Sequence, residues 1–195
     1  MNEKLILTDV DGVLLSWEYA FDCYLQERGY HKVEGYQNKY DIGKRYGIDS
    51  NLGKSLIKIF NESAAIGFLP PHRDAIHYVR KLHEEHGYIF HAITSLSLDK
   101  NAYRLRCMNL EKLFGSSVFE KIICLDTGAD KDDALLPYKG SECYWVEDKY
   151  DNCLSGLKLG LTPLLMEHGH NMQFINPGIT RVKNWQDIYN IIVGI

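Results

Sequence analysis

The 195-residue chain has no excess of positive charge: 22 Lys and Arg stand against 26 Asp and Glu, a formal net charge of −4. A sequence-independent grip on nucleic-acid backbone needs a field of cations, so stable nucleic-acid binding is not expected. A small phosphorylated substrate stays open, because local positive charge can sit in an acidic protein. The five cysteines are odd in number and irregularly spaced, with no C-x-x-C. They offer no disulfide framework to read, and Cys124 and Cys143 fall in apolar runs where Cys is usually a small buried hydrophobe. No apolar run approaches a membrane span. No basic-then-apolar leader opens the chain, and no repeat or low-complexity tract interrupts it. The expectation is a cytoplasmic protein of one domain, or one domain plus a modest insertion.

What is present begins at Lys4-Leu5-Ile6-Leu7-Thr8-Asp9-Val10-Asp11-Gly12. The apolar run Leu5 to Leu7 reads as a buried parallel strand that ends abruptly in two carboxylates. Residues two apart in extended chain point to the same side, so Asp9 and Asp11 aim at one small volume. Gly12 permits the sharp turn that follows. Two carboxylates so close are tolerable if a cation lies between them or one is protonated, and a hard cation such as Mg²⁺ suits oxygen ligands. Asp-x-Asp-Gly also opens calcium loops, but Val13, Leu14 and Leu15 occupy the places of the further oxygen ligands.

Downstream, the pattern alternates. Residues 16–71 read as a mostly helical insertion, with one helix over Ser16 to Leu25, an irregular Tyr- and Gly-rich middle, and a second helix capped near Asp49. A helix over His72 to Glu85 leads to the strand Tyr88 to Ile93, which ends in Thr94-Ser95. A helix over Asp99 to Leu113 leads to the strand Ile122 to Leu125, and a loop carrying Lys131 opens a short helix. The strand Cys143 to Val146 ends at Glu147-Asp148. The helix 151–159, the strand Pro163 to Met166, a Gly/His/Asn-rich loop and a terminal helix close the chain. Alternation of this kind gives parallel strands with right-handed crossovers and all strand C-terminal ends on one edge. Asp9/Asp11, Thr94/Ser95, Lys131 and Glu147/Asp148 then share that edge. Trp145, inside a strand, reads as core. His168-Gly169-His170 has no acid or Cys at metal-ligand spacing and reads as a solvated loop near the edge.

In order and placement these groups resemble the four motifs of the haloacid dehalogenase (HAD) superfamily, over essentially the whole chain. Asp9-x-Asp11 matches the first motif, Thr94 the second, Lys131 the third (with Lys139 as competitor) and Glu147-Asp148 the fourth. Glu147 departs from the acids usual there, which leaves its contact with metal open. The resemblance implies an α/β fold, a three-layer parallel sheet with a HAD/Rossmann-like core from residues 1–15 and 72–195. A small helical cap, residues 16–71, is inserted after the first strand. It implies a Mg²⁺-dependent phosphomonoester hydrolase, with Asp9, the Asp11 carbonyl and Asp148 on the metal. Asp9 would attack phosphorus to give an aspartyl-phosphate, Asp11 would serve as acid and then base, and Thr94, Ser95 and Lys131 would hold the phosphoryl oxygens. The short helical insertion, Phe90-His91-Ala92-Ile93-Thr94-Ser95 and Asn184-Trp185-Gln186-Asp187-Ile188 are most similar to the 5′(3′)-deoxyribonucleotidases. That closer resemblance implies a nucleotide as the small phosphorylated partner, and makes Trp17, with Phe21 and Phe68, candidates for holding the base. Packing in the cap's own core is the alternative for Trp17. Sugar phosphates, other small phosphometabolites, or a non-catalytic HAD-like binding module are the alternative functions.

Overall fold

The computed structural model describes residues 4–195. Six parallel strands form one sheet in the order β3-β2-β1-β4-β5-β6: β1 Leu5–Thr8, β2 Ile89–Ser95, β3 Phe119–Leu125, β4 Tyr144–Glu147, β5 Thr162–Met166 and β6 Thr180–Val182. The helices are α1 Trp17–Gln26, α2 Ile42–Tyr46, α3 Ser50–Asn61, α4 Ala75–His86, α5 Lys100–Phe114, α6 Asp132–Leu135, α7 Tyr150–Lys158 and α8 Trp185–Val193. The fold is the expected HAD/Rossmann-like α/β sheet with helices around it. The central strands are buried because helices cover both faces, which is why β1, β2 and β4 read as apolar runs rather than alternating ones. Among the described residues no helix is long and apolar enough to cross a membrane.

Caps fix the helix starts. The Asp49 carboxylate accepts the N–H groups of Asn51 and Leu52 at the head of α3, and Asp99 accepts Ala102 N–H at the head of α5. Two elements depart from the sequence expectation. The irregular middle of the insertion contains α2, a single turn held by Asp41 on Lys44 N–H. The loop after β5 contains β6, a three-residue strand with one buried position, too short to show a periodic pattern.

Strand order reverses beside β1: the chain builds outward through β2 and β3, then crosses to β4, β5 and β6. The crevice beyond the C-terminal ends of β1 and β4 is therefore the switch point where sheets of this kind bind ligands. Residues 16–71 leave and rejoin the sheet at one narrow neck. Ser16 N–H donates to Pro70 O at 2.9 Å and His72 N–H to Leu14 O at 2.8 Å.

Candidate active site

Asp9 follows β1 directly and is 6% exposed. Its Oδ1 accepts the Val10 N–H at 2.7 Å and lies 2.7 Å from Lys131 Nζ. Lys131, at the foot of α6, is 2% exposed and also donates to Glu147 Oε2 at 2.8 Å. Burial alone would lower the Lys131 pKa, but Asp9 and Glu147 outweigh it and hold the ammonium raised and charged. Glu147, the last residue of β4, is wholly buried. Its oxygens accept the N–H groups of Asp148 and Lys149 and the Asn152 side-chain amide as well as Lys131. Burial pushes its carboxyl up, yet Lys131 and those donors bring it below its ordinary value. Glu147 is thus the counter-ion that orients Lys131.

Asp9, Glu147 and Asp148 each bring a carboxylate oxygen within 4.8 Å of the others. With all three ionised, the carboxylates facing one ammonium would carry an excess of two negative charges, the charge a divalent cation cancels. Burial first, then the neighbouring Glu147, pushes Asp9 up to about 8, and the same causes raise Asp148 well above its ordinary value. An all-oxygen donor set whose members resist ionising together fits a hard cation, which would return both to the charged form.

Gly12 closes the loop after β1 with φ +80°, and a Cβ there would lie 2.6 Å from Asp148 Oδ2. Only glycine allows both the left-handed turn and the approach of Asp148. Thr94, the next-to-last residue of β2, has its hydroxyl buried and without a hydrogen-bond partner among the described residues. Burying a hydroxyl without a partner is costly, so this atom is set for a ligand oxygen. The neighbouring Ser95 Oγ already donates to Ala129 O at 2.7 Å. These groups line one cavity of about 680 Å³ between the strand ends and α3.

Asp11 also lines this cavity, but its carboxylate is gripped by both terminal nitrogens of Arg106, at 2.6 and 3.0 Å. Arg106 is wholly buried on α5. No local pattern in the sequence pairs it with Asp11, although an arginine in the buried stripe Ala102, Arg106, Asn109, Leu110 is a usable signal.

The remaining candidates divide. Trp17 lines the cavity, stacked on Phe21 with ring centroids 4.6 Å apart and its Nε1 donating to Asn61 Oδ1 at 2.9 Å. Phe21 is fully buried beneath it and does not reach the cavity. Phe68 is 67% exposed and faces solvent outside the cavity, because Gly67 packs that turn against Leu105 and Met108 of α5. Lys139 is exposed after a 3-10 turn, away from the site. His168 and His170 are not the solvated loop expected from sequence. Both are half-buried cavity residues, and Asp148, from a different strand end, completes a group of three that could hold a metal ion. His168 Nε2 lies 2.7 Å from Gly12 O, where the neutral ring donates and secures the same turn.

No family model matches the chain. It is 29% identical over 194 residues to a 32.4 kDa protein of the Gp30-rIII intergenic region of enterobacteria phage T4, a match covering 95% of this chain and 68% of that one. A nucleotidase of Clostridium acetobutylicum is 38% identical over 48 residues, 25% of each chain. Among solved structures, a haloacid dehalogenase-like hydrolase from Streptococcus pneumoniae superposes with a TM-score of 0.64 at 14% identity, covering 97% of this chain and 98% of that one. The D,D-heptose bisphosphate phosphatase of B. bronchiseptica, complexed with magnesium and phosphate, superposes at 0.59 with 10% identity and 98% coverage of both. The chain has the fold of the HAD-superfamily hydrolases.

Proposed function

We propose that the chain is a Mg²⁺-dependent phosphomonoester hydrolase that works through an aspartyl-phosphate, with nucleoside monophosphates, deoxy forms included, as its substrates. The observation that carries this reading is one constellation at the switch point: Asp9 on Lys131 at 2.7 Å, beside the unpartnered buried hydroxyl of Thr94. Asp9 Oδ1 is occupied by Lys131 and the Val10 N–H, which leaves Oδ2 for attack. A phosphate monoester is anionic and resists an anionic nucleophile, so the site must first cancel charge. A divalent cation held by Asp9, Asp148 and the Asp11 carbonyl would supply that neutralisation.

Asp9 Oδ2 forms the bond to phosphorus as the ester P–O bond breaks in line with it. Both Asp11 oxygens accept from Arg106 in this structure; in the substrate complex Arg106 keeps one of them, and the other, turned to the leaving group and protonated, gives its proton to the departing alkoxide oxygen. It then takes a proton from the water that attacks the aspartyl-phosphate, releasing inorganic phosphate and restoring Asp9. Thr94 Oγ1 and Lys131 Nζ hold the phosphoryl oxygens, with Ser95 fixing the loop behind them. Residues 16–71 act as a cap over the strand ends, keeping water out and holding the non-reacting half of the substrate. The nucleotide reading draws on the partial likeness to a nucleotidase, a cavity of nucleoside size and Trp17 in its wall. Five free thiols are in keeping with a cytoplasmic setting.

Phosphate release across a panel of phosphomonoesters tests the reading. Mg²⁺ should be required, EDTA should silence the protein, and Asp9→Asn should abolish turnover without unfolding it. Wild-type turnover by Asp9→Asn would end the covalent mechanism, and full activity in chelator would end the metal requirement.

A further inference from the structure

The cavity wall opposite the strand ends is α3. Its face there is Lys54, Ile57, Lys58 and Asn61, the i, i+3, i+4, i+7 stripe of one helix side. Asn61 stands at the foot of this stripe, tied to the end of β2 by its amide on Leu96 O at 2.9 Å. At about 1.5 Å per residue, Lys58 lies roughly 4–5 Å and Lys54 roughly 10 Å further along the axis, toward the cavity mouth.

The charge state of this wall calls for an explanation. The other cations lining the cavity have acidic neighbours: Arg45 meets Glu18 at 2.8 Å, Lys131 meets Asp9 and Glu147, and Lys149 lies 3.9 Å from Asp130. Lys54 and Lys58 have no carboxylate within 4.0 Å among the described residues. Like charges at i and i+4 destabilise a helix rather than support it. Here the pair lines the cavity while staying exposed to solvent, in a chain whose net charge is −4.

We propose that Lys54 and Lys58 form a subsite for a second phosphate on the half of the substrate that leaves. The preferred substrate is then a bisphosphorylated one, a nucleoside bisphosphate within the nucleotide reading. This rests on the hydrolase reading above and shifts its preferred nucleotide from a monophosphate to a bisphosphate. The scissile phosphate sits at Thr94 and Lys131, at the foot of α3. The second phosphate, one sugar unit away, meets two ammonium groups whose mutual repulsion it relieves. Ile57 between them covers the apolar side of the sugar or base. The subsite draws anions to the mouth of a cavity whose floor is strongly acidic, so it also selects the end that enters first.

The test compares one deoxynucleoside as its 5′-monophosphate and its 3′,5′-bisphosphate, with Mg²⁺, in the wild type and in a K54Q/K58Q double variant. Both lysines are exposed, so the variant should fold normally. In the wild type kcat/KM should favour the bisphosphate about tenfold or more, and the preference should shrink as salt is raised. In K54Q/K58Q the ratio should fall toward one, and in K54E/K58E it should invert. A wild-type ratio near one, or a preference that survives in K54Q/K58Q, overturns the subsite. If no phosphomonoester is hydrolysed, the hydrolase reading fails on its own. Calorimetric binding of the same two nucleotides to the Asp9→Asn protein then decides the subsite, and equal affinities would refute it.

Discussion

Lys131→Met removes an ammonium while nearly keeping side-chain length, and it isolates the charge balance of the site. Lys131 is 2% exposed and its two partners, Asp9 and Glu147, have side chains 9% and 0% exposed. Without it, three clustered carboxylates face each other with no cation. Removing one partner of a buried ion pair typically costs about 3–5 kcal/mol, against a total stability of about 5–15 kcal/mol for a domain. The variant should therefore be markedly less stable at pH 7 in chelator. Asp9 is raised to about 8 even with Lys131 present. A carboxyl whose folded value lies above its unfolded value of about 4 loses stability as pH rises through that window. That cost is shared by both proteins, but Glu147 is brought below its ordinary value chiefly by Lys131 acting against burial. In the variant burial and its acidic neighbours raise it without the ammonium to oppose them, so the deficit should shrink as pH is lowered from 7 to 5. Mg²⁺ at about a hundred times its Kd should return about 2.7 kcal/mol. Urea unfolding of both proteins, with EDTA or Mg²⁺ at the two pH values, measures all three effects. A variant as stable as the wild type at pH 7 in EDTA, with no response to pH or Mg²⁺, would refute the charge balance drawn here.

Two further outcomes follow from particular contacts. Arg106→Met frees Asp11 from both guanidinium nitrogens. It should lower kcat ten- to a hundredfold with a smaller change in KM and cost about 1–3 kcal/mol, with Arg106→Lys recovering part of the rate; steady-state kinetics and thermal melts check both. Burial, with His168 beside it, holds His72 down at about 3, and burial holds His168 at about 4. Groups depressed below an unfolded value of about 6.5 contribute stability above that pH, and the contribution is lost as pH falls toward their folded values. At pH 5 each costs up to about 2 kcal/mol. The loss of stability between pH 7 and pH 5 should be smaller in His72→Gln than in the wild type, and equal slopes in chemical unfolding would contradict it.

The strands and their order of carboxylates, hydroxyl and amine could be read from the sequence because each central strand is an apolar run with its polar end abruptly attached. Leu5 to Leu7 followed by Asp9, and Trp145-Val146 followed by Glu147-Asp148, carry the edge within a few residues. What escaped the sequence depends on pairs far apart in the chain. Arg106 meets Asp11 across 95 positions, and His168 meets the Gly12 carbonyl across 156. Nothing local to Arg106 marks its partner beyond the oddity of a guanidinium on a buried stripe. Phe68 shows the opposite failure: the resemblance to the nucleotidases makes it a candidate for holding the base, but it is exposed outside the cavity. Glu147 was ambiguous because its role is set by Lys131 and Asn152, neither adjacent to it in sequence.

The neck joining residues 16–71 to the sheet has a mechanical consequence. Leu15 bridges to Asp11 on one side and to Pro71 on the other, and its carbonyl accepts the Gly12 N–H at 2.9 Å. The residue that anchors the outgoing and returning strands is thus geared directly to the turn carrying Asp11. A tilt of α1 or α3 against the sheet bears on that turn through Leu15, which is wholly buried and hydrogen-bonded to it. Seating a ligand against the helices and setting the backbone of Asp11 and Gly12 are therefore joined through one buried residue. Substitutions on the far wall of the cavity will be felt in the rate of the chemistry as well as in the affinity for the substrate.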